Sequence, residues 1–157
     1  MPGKFPFTAT ALALFAALLT ACGSDPAPAA APSQKAGDQA WYPGVLAQLT
    51  DLNRAAETLF KNNQPDQAAA LIQRGEPLAS RLLSVPRPTL EATEAAADLD
   101  QLYGRMLLSN HRYGWARLQF QKNLARWKHW QPQTPETERR LKLAQASIAE
   151  CDKHISQ

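Results

Sequence analysis

"GRMLLSNHRYGWARLQF" spans residues 104–120, and its reading decides the fold. Gly104 and Leu107 stand three apart in its first half, and Tyr113, Ala116 and Phe120 follow at spacings of three and four in its second. Each half therefore carries an apolar stripe of a 3.6-residue helix, and the stretch reads as a helical hairpin.

Outward from this hairpin, the same period marks five helices. Val45, Leu49, Leu52, Ala56 and Leu59 line the first, and Ala68, Leu71, Ile72, Leu78 and Leu82 the second, which Gly75 and Pro77 are expected to bend. Leu99, Leu102, Tyr103, Met106 and Leu107 mark the third. Tyr113, Ala116, Phe120, Leu124 and Trp127 mark the fourth, and Leu141, Ala144, Ile148, Cys151 and Ile155 the fifth. Breaks fall at Asn63 to Asp66 and at Pro86 and Pro88, while Thr134-Pro135-Glu136 opens the last helix with a cap, an N1 proline and an acid. No window of alternating β-branched residues competes, so residues 41–157 are predicted to form one all-α domain.

An offset of 48 pairs Ala56 with Gly104, Leu59 with Leu107, Ala68 with Ala116 and Ile72 with Phe120. Small, large, small and large in that order resembles the tetratricopeptide repeat, in which a small residue lets two helices approach and a bulky one fills the gap. The offset exceeds that family's period of about 34, Asp100 stands where an aromatic is usual, and the closing proline is missing from both units. The resemblance implies antiparallel hairpins with the fifth helix as a terminal cap; a plain five-helix bundle would show much of the same pattern.

The first forty residues read as an address. Lys4 precedes an uncharged, mostly apolar run from Phe5 to Ala21, which has the make-up of an export signal, so residues 1–21 are set apart from the fold. The run ends in Leu19-Thr20-Ala21-Cys22, which resembles the bacterial lipobox. That resemblance implies cleavage before Cys22, a diacylglyceryl thioether and an N-acyl chain on it, and stable anchoring, since two or more chains hold where one does not. Gly23 and Ser24 follow in place of an aspartate, which for this class favours the outer membrane where the cell has one. Residues 22–40 are then the lipidated cysteine and a tether: three prolines, at 26, 28 and 32, stand among Ala, Ser and Gly. Eighteen residues of this kind, 23–40, reach roughly 25 Å coiled and about 55 Å stretched. With Cys22 lipidated, Cys151 has no partner within the chain.

Chemistry is sparse. The chain holds 17 basic and 14 acidic residues, a formal +3 that falls to +2 when Lys4 is cleaved away, too little to argue for a polyanion. There is no nucleophile elbow, phosphate-binding glycine loop, HExxH or CxxCH, so no enzyme and no cofactor is expected. Cys151 and His154 share a helix, but two ligands make no metal site, and Cys151 falls on the apolar stripe. Glu91, Glu94, Asp98 and Asp100 read as a solvated face.

The most informative segment is Gln101 to Pro135, which has no acid but carries Arg105, Arg112, Arg117, Lys122, Arg126 and Lys128 among Tyr103, Tyr113, Trp115, Phe120, Trp127 and Trp130. Arginine beside aromatics suits acidic surfaces through charge and stacking together, whereas packing of the stripe aromatics and pairing of the cations with the preceding helix's acids is the structural alternative. The candidate contact residues are Arg112, Trp115, Arg117, Arg126, Lys128 and Trp130. The expectation is a membrane-anchored envelope module that holds a protein partner; the alternative is a binder of an anionic envelope polymer or lipid headgroup through segment 101–135. Export disfavours nucleic acid as a partner.

Overall fold

The computed structural model describes residues 36–156. The export signal, Cys22 and most of the tether lie outside the described residues. A short 3₁₀ turn at Ala36–Asp38 leads into five helices: α1 (Tyr42–Lys61), α2 (Pro65–Leu83), α3 (Leu90–Ser109), α4 (Tyr113–His129) and α5 (Pro135–Ile155). No strand occurs among the described residues, so the domain is all-α.

The helix starts follow from local chemistry. The Thr89 hydroxyl caps α3 by accepting from the Ala92 N–H at 3.3 Å. At α5 a reciprocal capping box forms: the Thr137 N–H donates to Thr134 Oγ1 at 3.2 Å, and the Thr134 N–H donates to Thr137 Oγ1 at 2.8 Å. Prolines occupy the first turns of α1, α2 and α5, where a missing N–H costs nothing. The helix α2 runs unbroken through Gly75 and Pro77. Gly75 serves packing: a Cβ there would lie 3.0 Å from Leu99 Cδ1 and 3.3 Å from Leu49 Cδ1, where α1, α2 and α3 meet.

The two hairpins repeat in register. Tyr42 corresponds to Leu90, Lys61 to Ser109 and Pro65 to Tyr113, each 48 residues on. Their turns match as well. Asn63 (φ 59°) and His111 (φ 58°) are left-handed, and each is followed by a 6→1 bond: Gln64 N–H to Leu59 O at 2.9 Å, Arg112 N–H to Leu107 O at 2.8 Å. Asn63 and His111 also donate to Phe60 O and Leu108 O, both at 3.1 Å, which completes a Schellman motif in each turn.

Packing then follows the small residues. Ala56 and Ala68 are fully buried between α1 and α2, and Gly104 lies against the Phe120 ring between α3 and α4. The central helix is α3, in contact with α1, α2 and α4. It fits there because Ala92, Ala95, Ala96 and Ala97 keep its first turns thin. Burying these apolar faces is the main favourable term. A smaller cluster at the far end joins Ala116, Phe120 and the fully buried Cys151 to Leu107, Leu108 and Ile148.

Ion pairs cross-link the helices. Glu57 of α1 pairs with Arg105 of α3, and Asp100 of α3 takes Arg126 at 3.0 Å and Lys122 at 3.7 Å from α4. Arg140 of α5 reaches Asp98 at 2.7 Å and Glu94 at 3.5 Å on α3, with its guanidinium 5.4 Å from the buried Trp127 ring. Three of the four acids expected to form a solvated face are thus interhelical partners, and Glu91 alone of them makes no ion pair among the described residues.

Candidate functional site

The acid-free segment contributes its cations to two different jobs. Arg126 is largely buried, with 16% of its side chain exposed, and bonds Asp100 and Asn123 Oδ1. Arg117 Nε donates to Asp152 Oδ1 of α5 at 2.6 Å. Both have carboxylate partners inside the fold. Arg112 and Lys128 are exposed and make no ion pair among the described residues. Trp115 is 64% exposed, whereas Trp130 is half-buried at the C-terminal cap of α4. The six candidates do not form one patch: at 100° per residue, Trp115 and Arg126 lie on one flank of α4 and Arg117 and Lys128 on the other.

A second feature, which periodicity does not reveal, is a groove of about 540 Å³ between α1 and α3. Leu46, Asn53 and Glu57 form one wall, and Asp98, Gln101 and Arg105 the other. The Asn53 Nδ2 group donates to the Ala95 carbonyl at 2.7 Å, which leaves its Oδ1 buried without a partner. The Arg105 guanidinium is turned to Glu57, and its Nε is likewise buried and unpartnered. Burial raises the Glu57 carboxyl, but hydrogen bonds and charge from Arg105 and Lys61 together outweigh it and hold the group below its ordinary value. The groove therefore offers one acceptor, one donor and fixed negative charge. An amide, with its own N–H and C=O, complements that pair. A smaller groove of about 390 Å³ lies between α2 and α4, over Ala96 and Leu99.

Metal chemistry has little to work with here. Among the described residues no group of three or more His, Cys, Asp or Glu could hold an ion. The Cys151 thiol is fully buried, and burial pushes it up. His154 instead stacks on Tyr113 at 4.4 Å and stands 3.4 Å from Glu150. Nor is any helix among the described residues long and apolar enough to cross a membrane. No family model, curated protein or solved structure matches the chain.

Proposed function

We propose that the chain is a lipid-anchored envelope protein whose helical domain, a tetratricopeptide-like array, holds a segment of a partner protein in the α1–α3 groove. The lipobox-like Leu19-Thr20-Ala21-Cys22 and the proline-bearing stretch after it support the anchor and stalk. The observation that carries the groove is the pair of buried, unpartnered atoms on its walls, Asn53 Oδ1 and Arg105 Nε. An unsatisfied buried polar group costs roughly 1–3 kcal/mol, and an extended segment supplies the N–H and C=O that would satisfy both. Affinity isolation of the anchored protein from its own membranes tests this. A partner recovered with the parent chain and lost with Asn53→Ala is the expected result; equal recovery removes the groove from consideration. Cys22→Ser tests the anchor separately, because lipidation and cleavage both need the thiol. A Ser variant that stays membrane-bound at the mature size would sink that part.

The second reading, an anionic polymer or lipid headgroup held by segment 101–135, is supported by Arg112, Trp115 and Lys128, which keep their side chains in solvent.

A further inference from the structure

The internal repeat supplies its own control. Helices α2 and α4 hold equivalent places, and their outward faces carry corresponding residues 48 apart. On α2 these are the exposed Gln67, Ala70 and Arg74; on α4 they are the exposed Trp115, Leu118 and Lys122. The fold is content with Gln and Ala at the first two positions, so packing does not explain a Trp that is 64% exposed and a Leu that is 49% exposed one turn on. Charge differs in the same sense. Asp66 and Glu76 balance Arg74 and Arg81 on α2, while α4 has Arg117, Lys122, Arg126 and Lys128 and no acid. With Arg117 and Arg126 committed to Asp152 and Asp100, the cations on the Trp115 flank are Arg112 and the exposed Lys122, which stands 3.7 Å from Asp100.

We propose that this outer face of α4 rests on an anionic lipid surface, with Trp115 and Leu118 at the headgroup boundary and Arg112 and Lys122 among the phosphates. Size decides for lipid. A specific protein interface needs about 1,000 Å² or more with matched packing, and two apolar side chains on a convex helix fall well short. A lipid surface deforms around such a pair and needs no pocket; indole and aliphatic side chains beside cations are the chemistry of that boundary. The inference rests on the anchor reading, because a tether of roughly 25–55 Å keeps the leaflet within reach and makes even weak docking effective.

Residues 34–157 form a compact unit containing the core of the described residues and lack Cys22, so vesicle binding by this segment is independent of the anchor, and the α4 variants assign it to that face. The experiment is co-sedimentation with vesicles of phosphatidylglycerol and phosphatidylethanolamine against vesicles of phosphatidylcholine. Each cation near an anionic leaflet raises partitioning roughly fivefold, so with two of them the anionic vesicles should be preferred roughly 25-fold. Trp115→Gln with Leu118→Ala, which copies α2, should lower binding to anionic vesicles roughly tenfold or more. Arg112→Gln with Lys122→Gln should abolish the preference, while Asn53→Ala should bind like the parent. Equal binding to both vesicles, no loss in the Trp115/Leu118 variant, or no sedimentation with either lipid overturns the proposal; so does capture of a protein through Trp115 by a parent that binds no vesicle.

Discussion

A methyl group at Gly104 is the sharpest probe of the hairpin contact. A Cβ there would stand 2.8 Å from Cζ and 2.9 Å from Cδ1 of Phe120, and nearer still to Cε1. Carbon contacts are comfortable at roughly 3.5–4.0 Å, so the ring would have to retreat by about 1 Å. It has nowhere to go: Phe120 is fully buried against Ala116, Cys151, Leu107, Leu108 and Ile148. Overpacking of this kind costs about 1–3 kcal/mol, and alanine's helix preference over glycine returns at most about 1 kcal/mol. Gly114→Ala separates the two effects, because nothing lies within 4 Å of the Cβ it would add. Gly104→Ala should therefore be less stable than Gly114→Ala by about 1–3 kcal/mol, near 4 °C in midpoint per kcal/mol for a domain of this size. Urea and thermal unfolding of residues 34–157 measure the difference, and Phe120→Leu added to Gly104→Ala should recover part of it. If Gly104→Ala is as stable as Gly114→Ala, Phe120 does not lie against Gly104 and the hairpin packing is wrong.

Two further outcomes are expected. Thr134→Ala removes the hydroxyl that accepts from the Thr137 N–H and should lower stability by about 1 kcal/mol in urea titration, whereas Thr134→Ser should keep it. On acidification, the hydrogen bond from Arg139, joined by Arg140, holds the Glu136 carboxyl near 2 against an ordinary 4.5, so its contribution is present above 4.5 and lost as pH falls from there to about 2. Exposure and screening keep that loss below about 1 kcal/mol, and Glu136→Gln should flatten the slope of stability over this window.

The helices were legible because their stripes are repetitive. Leu49, Ala56, Ile72, Leu102, Ala116 and Phe120, placed inside by spacing alone, are buried, and the break and cap signals at Asn63 and Thr134 fall at real helix ends. The alanines at 92 and 95–97 carry no such signal, since alanine is common on exposed faces too; they are buried because α3 runs between three neighbours. The groove was invisible for a related reason. Asn53, Gln101 and Arg105 are polar positions that a single helix reads as solvent-facing, and only the approach of α1 to α3 makes them walls. Likewise, pairing of Arg126 with an acid of the preceding helix is one of two readings the sequence allows, and spacing cannot choose it, because Asp100 is 26 residues away on another helix.

Cys151 bears on how the domain would fare in an oxidising compartment. Disulfide exchange and sulfenic acid formation both begin with an accessible thiolate. Burial beneath Phe120 denies access and raises the thiol, so neither reaction has a ready starting point. Copies of the folded domain can therefore crowd together on a surface without becoming covalently cross-linked through this residue. Only unfolding would expose the sulfur, which makes the rate of its alkylation a clock for global opening.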